Sequence, residues 1–127
     1  MPPKSVKVFF DGGCRPNPGP MEVAVVVRGA AYVFDELGTG TNGDAEWQAL
    51  IHALELARDQ GLENADLVGD SRAIVDAACM ALETGQAGSP YATRFLELAR
   101  AHPPRRVRWI KREQNLAGIA LARRHPR

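Results

Sequence analysis

The hydrophobic period of this chain changes near residue 40, and that change limits the folds open to it. Before it, three short runs read as strands. Residues 4–11 alternate or run apolar through Val6, Val8, Phe9 and Phe10. Residues 22–28 hold the β-branched run Val23, Val25, Val26 and Val27, and residues 30–37 follow Gly29. β-Branched runs closed by a glycine are strand signals, and turns this short join antiparallel neighbours. After the change, Trp47, Leu50, Ile51, Leu54 and Ala57 recur at helical spacing. The capping-rich stretch Thr41-Asn42-Gly43-Asp44 starts that helix and Gly61 stops it.

Beyond Gly61 strands and helices alternate. Residues 65–69 form a short strand that ends at Asp70, and residues 71–84 a helix capped by Asp70 or Ser71. Residues 92–101 form a helix ended by Pro103-Pro104, residues 107–110 a strand, and residues 114–124 a last helix. The order is βββαβααβα. Both late strands are reached through helical crossovers, so each lies parallel to a neighbour. The expected fold is α/β: a mixed five-stranded sheet, three antiparallel strands then two parallel, flanked by helices in a single domain over residues 1–127.

Composition excludes some function classes. No apolar run approaches the ~20 residues of a membrane span, so no membrane partner is expected. Met1-Pro2-Pro3-Lys4 lacks an apolar signal core. Two cysteines, Cys14 and Cys79, make neither a disulfide framework nor a metal cluster. A cytoplasmic location follows as the expectation, and the oligomeric state stays open. The net charge of +1 hides an asymmetry, because residues 105–127 hold eight Lys or Arg against Glu113 alone. A basic end beside an acidic body suits a protein that grips a polyanion while holding cations elsewhere. A solvated arginine-rich tail is the other reading of the same charges.

Three acids stand where such a sheet would gather them. Asp11 ends the first strand, ahead of the turn Gly12-Gly13-Cys14-Arg15-Pro16-Asn17-Pro18-Gly19-Pro20. Glu46 lies in the first turn of the first helix, and Asp70 ends the fourth strand. Adjacent parallel strands put their carboxyl ends at one edge of the sheet, where α/β proteins place ligands. Carboxylates packed together repel one another and are tolerated mainly when cations neutralise them. Hard oxygen donors without His or Cys favour Mg²⁺ or Mn²⁺ over zinc. Taken singly, each acid also has a plainer role: Asp11 in a turn, Glu46 at a helix dipole or capping box, Asp70 as an N-cap.

The chain resembles the ribonuclease H family, in its compact bacterial and archaeal type 1-like branch. The resemblance rests on the stretch from Asp11 to Pro20, on Thr41-Asn-Gly-Asp-Ala-Glu46-Trp-Gln-Ala-Leu50, on Gly69-Asp70-Ser71 and on Arg112-Glu-Gln-Asn115. It implies a metal-dependent endonuclease that cuts the RNA strand of an RNA–DNA hybrid, with two Mg²⁺ or Mn²⁺ ions flanking the scissile phosphate. By position Asp11 would bridge both metals, with Glu46 and Asp70 completing the second site. Asn17 and Asn42 match residues that read the RNA strand from the minor groove, where 2′-hydroxyls mark RNA. With Gly13, Cys14, Arg72 and Arg112 they make up the expected nucleic-acid-binding set. As bare sequence, Asn17 is equally a turn former and Asn42 a helix cap.

The chain also departs from that pattern. The family's fourth carboxylate falls on Ile119, and no Asp follows Asp76. Ile119 reads instead as part of an apolar stripe with Leu116 and Ala120, packed in the core. Glu22 and Glu113 are the candidate replacements for the lost acid. A usual glycine pair is Met21-Glu22, a usual second Asn is Gly43, and a frequent Gln is Arg72. A mobile histidine is missing, and His52, His102 and His125 read as surface residues. A separate Lys-rich helix is absent, and the Arg cluster at 105–112 is its partial substitute. The sequence therefore carries an alternative, a ribonuclease H-like nucleic-acid-binding module with weak or no turnover.

Overall fold

A computed structural model of the chain describes residues 4–125. Met1, Pro2 and Pro3, and Pro126 and Arg127 of the basic end, lie outside the described residues. Strands β1 (Val6–Cys14), β2 (Gly19–Val27) and β3 (Ala30–Phe34) form the expected antiparallel meander. A two-residue strand β4 (Thr39–Gly40), which the sequence does not announce, pairs with the start of β2. Helix α1 (Asn42–Asp59) then leads to β5 (Ala65–Gly69), parallel to β1. Helices α2 (Arg72–Thr84) and α3 (Pro90–Ala101) lead to β6 (Arg106–Trp109), parallel to β5. A 3-10 turn (Arg112–Gln114) and helix α4 (Leu116–Ala122) close the described chain. The sheet order is β3-β2-β1-β5-β6, the mixed sheet the alternation predicts.

The main core lies between the sheet and α1, α2 and α3. Val8, Phe10, Val23, Val25 and Leu67 meet Leu50, Leu54 and Phe95 there. All five residues of β5 are buried, as expected for a central strand with parallel neighbours on both sides. On the other face α4 covers Ala24 and Val26 with Ala117 and Leu121. No helix among the described residues is long and apolar enough to cross a membrane.

Three departures from expectation bear on function. First, β1 does not end at Asp11 but runs on to Cys14. A Cβ on Gly12 would stand 2.2 Å from the Ala45 carbonyl oxygen, so this glycine lets the first turn of α1 lie directly on the strand. Second, the last helix is shorter than 114–124, because Asn115 caps it with an Oδ1 that accepts from the Ala117 amide at 3.1 Å. Third, Ile119 and Leu116 are not core residues. They are 39% and 45% exposed, and the buried positions of α4 are Ala117 and Leu121. His52 and His102 are likewise half-buried rather than free on the surface. Their ring nitrogens bond the Gln48 carbonyl at 2.7 Å and the Leu62 carbonyl at 2.9 Å.

Candidate active site

The plainer roles open to the three acids are taken by their neighbours. Thr41 caps α1, and its capping box is closed by Asp44, whose Oδ2 accepts from the Thr41 amide at 3.0 Å. Glu46 is thereby free of that duty, and Asn42 is the first helical residue rather than the cap. Ser71 caps α2 and leaves Asp70 free. Asp11 sits inside a paired strand, opposite Ala24, rather than in a turn.

The parallel pairing of β1 and β5 and the docking of α1 on Gly12 bring these side chains together. A side chain at Gly118 of α4 would begin 3.4 Å from Asp11 Oδ2 and 3.6 Å from Asp70 Oδ2. The backbone of α4 therefore passes within van der Waals reach of both carboxylates. The acids feel one another. Burial, then Asp70, then Glu46 push Asp11 up from 3.8 to about 7, against the opposing pull of Arg112. Burial also raises Glu46, with a hydrogen bond from Ser71 opposing it and Asp70 adding to it. Among the described residues no three His, Cys, Asp or Glu side chains stand as a ready-made metal cage.

The Asp70 side chain is 4% exposed and is held from two sides. Its Oδ2 accepts from Asn115 Nδ2 at 2.9 Å, and Arg112 Nη2 lies 3.9 Å from its Oδ1. Asn115 is fully buried and also donates to the Phe10 carbonyl at 3.0 Å. One side chain therefore ties β1, Asp70 and the start of α4 together. In the sequence Asn115 stands only as the last residue of a motif; a buried Asn with every polar atom bonded is invisible without the fold.

Beside the acids runs a polar edge. The Cys14 amide donates to Asn42 Oδ1 at 3.2 Å, and the Asn42 amide donates to Asn17 Oδ1 at 3.1 Å. The Cys14 thiol lies 3.4 Å from Asn42 Oδ1 and 3.6 Å from Asn17 Oδ1. These bonds use the two side-chain oxygens and fix both amide groups. The structure thus brings Cys14, Asn17 and Asn42 into one network. Asp11, Gly13, Cys14, Asn42, Glu46 and Arg112 line one cleft, whose far wall is Gly118, Ile119, Leu121 and Ala122.

The likeness to known proteins runs through the same residues. The sequence profile described as reverse transcriptase-like matches residues 9–125, from β1 past the end of α4. The chain is a ribonuclease H-like member of that family. Ribonuclease HI of Halobacterium salinarum is 43% identical over 74 residues, which is 54% of this chain and 37% of that protein. The chain thus matches little more than a third of that relative's length. The crystal structure of RNase H1 from the same halophilic archaeon superposes with a TM-score of 0.75 at 29% identity, over 93% of this chain and 94% of that one. LC11-RNase H1, solved in complex with an RNA/DNA hybrid, superposes with a TM-score of 0.73 at 25% identity, over 91% of this chain and 92% of that one.

In this ribonuclease H-like fold the two candidate replacement acids are differently placed. Glu22 lines the cleft, opposite Gly13 on the next strand. Both its oxygens are engaged, Oε2 by Arg124 Nη1 at 3.0 Å and Oε1 by His125 Nε2. Glu113 lies exposed in the 3-10 turn and is not part of the cleft wall. Ile119 thus presents an apolar side chain to the cleft, and among the described residues no free carboxylate stands in for it there.

A pH signature follows from Asp11. Its folded pKa lies above its ordinary value, so the fold keeps a proton that the unfolded chain has already released. That stabilisation is full below pH ~4 and is lost as pH rises through about 7. The metal-free protein should lose about 4 kcal/mol of stability across this window, three pKa units' worth. Thermal unfolding in EDTA at pH 4 and pH 8 reads the effect, and Asp11→Asn should flatten it.

Proposed function

We propose that this chain is a divalent-metal-dependent endonuclease that hydrolyses the RNA strand of an RNA–DNA hybrid. The observation that carries the reading is convergence. Carboxylates from β1, α1 and the end of β5 stand close enough for Asp70 and Glu46 to act on Asp11, and Asp11 and Glu46 line one cleft with Asn42, whose backbone amide is bonded to Asn17. The acids fit a hard divalent cation in donor chemistry and in charge. They are oxygen donors only, and burial and mutual repulsion hold Asp11 near 7 when nothing neutralises it.

Asp11, Glu46 and Asp70 would hold the metal, with Asp11 central to the set. When bound, such an ion polarises a phosphate oxygen and makes water a better nucleophile. The rest is done by the protein. Asn115 fixes Asp70 through Oδ2 and so leaves Oδ1 on the side of Arg112. Asn17 and Asn42, held by their oxygens, present amide donors to the 2′-hydroxyls that distinguish RNA from DNA. Gly13 and Cys14 let the backbone of β1 approach the same strand. Arg112, whose side chain is 84% exposed, meets phosphates, and Arg72 belongs to the same nucleic-acid-binding set.

Ile119 favours a slow enzyme, and it also supports a second reading: a hybrid-binding module with little turnover. A panel of labelled substrates separates the two. The nuclease reading expects cleavage of RNA in a hybrid, with Mg²⁺ or Mn²⁺, and none of RNA–RNA duplex or of the DNA strand. Equal cutting of RNA–RNA duplex would contradict it. Salt-dependent binding of hybrid with no cutting at excess protein and either metal would favour the binding module.

A further inference from the structure

We infer that Arg72 grips a backbone phosphate of the substrate and that Trp109 is its positioning residue; this rests on the hybrid-binding reading above. The Arg72 guanidinium lies 4.0 Å from the centre of the Trp109 ring. The indole is itself fixed, because Nε1 donates to the Asp70 carbonyl oxygen at 3.1 Å. One aromatic ring therefore links the backbone of a proposed metal ligand to a cation two residues further on.

The way Arg72 is held sets it apart. Arg58, Arg94, Arg106, Arg108, Arg112 and Arg124 each stand within 4 Å of a carboxylate. Arg72 has no such partner among the described residues, a trait it shares with Arg15, Arg28, Arg100, Arg105 and Arg123, but of these it is the one that lies over an aromatic ring, and its side chain is exposed. An ion pair spends the donors of a guanidinium on a protein carboxylate. Stacking on a ring face fixes the plane of the group and leaves its edge N–H donors free. A planar cation with free donors, held on a ring that is itself bonded to the Asp70 backbone, suits an anion that presents two oxygens in a plane, and nucleic-acid phosphate does so. The positive charge also suits the site's function. It offsets part of the repulsion that three carboxylates exert on an approaching polyanion. A contact to a base edge or to a 2′-hydroxyl would call on hydrogen bonding alone, and it would leave no mark on the salt dependence.

The experiment measures hybrid binding over a range of salt with the Asp11→Asn protein as non-cleaving parent. Arg72→Gln keeps a planar amide donor on a shorter stem and removes the charge. It should lower the slope of log affinity against log salt by about one and weaken binding several-fold at low salt. Trp109→Leu should weaken binding by about threefold in the parent and add nothing when Arg72 is already Gln, because the ring acts through that side chain. Circular dichroism checks the fold of each variant. An unchanged salt slope in Arg72→Gln overturns the phosphate contact. A Trp109→Leu effect that persists in the Arg72→Gln background overturns the positioning role and assigns the ring to Asp70 alone. Failure of the parent to bind hybrid removes the hybrid-binding reading and this inference with it, whereas binding with an unchanged slope removes this inference only.

Discussion

Asp11→Asn should lower cleavage of RNA in a hybrid by at least about a thousandfold, while the metal-free protein becomes more stable at pH 8. The two effects have one cause. Asp11 is buried beside Asp70 and Glu46, and its carboxyl is pushed up to about 7 by burial and by those two charges. At pH 8 the metal-free fold holds this group ionised at a cost, and the amide removes that cost without changing the shape. The same amide is a poor ligand for a hard cation. A protein that melts higher and cuts nothing cannot be dismissed as misfolded. A variant that melts lower, or that still cuts at a tenth of the parent rate, would contradict the assignment of Asp11 as the shared ligand. The comparison needs only thermal melting in EDTA and a cleavage assay on the same two preparations.

Ile119→Asp should raise the cleavage rate at least about tenfold with Mg²⁺ and lower the metal-free melting temperature. Ile119 lines the cleft and follows Gly118, where a Cβ would stand 3.4 Å from Asp11 and 3.6 Å from Asp70. A carboxylate here adds a ligand on the α4 side, where the wall is now apolar. It also adds a fourth repelling charge, so stability without metal should fall. Removing an apolar side chain that is 39% exposed costs little packing. Calorimetric titration with Mn²⁺ should show tighter or additional binding in the variant. Unchanged metal binding and rate, with the circular dichroism spectrum intact, would contradict this account of the apolar wall.

Much of this was legible in the sequence, for physical reasons that differ between parts. The meander and the two crossover strands are local patterns, a β-branched run or a helical period closed by glycine, and they predict the sheet. The acids were legible because the topology sends Asp11 and Asp70 to one region and α1 carries Glu46 to it. What stayed hidden depends on close approach. Gly12 looks like a turn residue, yet its missing side chain is what lets Ala45 of α1 touch the strand. Asn115 joins Phe10 to Asp70 across 105 and 45 residues of chain. Ile119 looked like part of an apolar stripe, but α4 is seven residues long and its buried positions are Ala117 and Leu121. Glu22 stands out in the sequence only for its charge, and the fold shows Arg124 and His125 already on its two oxygens.

A single-turnover cleavage assay tests the central claim most directly. The protein is held in excess over an RNA–DNA hybrid labelled on each strand in turn, at pH 8, with Mg²⁺, with Mn²⁺ and with EDTA. The account predicts internal cuts in the RNA strand with either metal, an intact DNA strand, and no cuts in EDTA. An RNA strand left whole with both metals, by a protein shown to bind the hybrid, would contradict it.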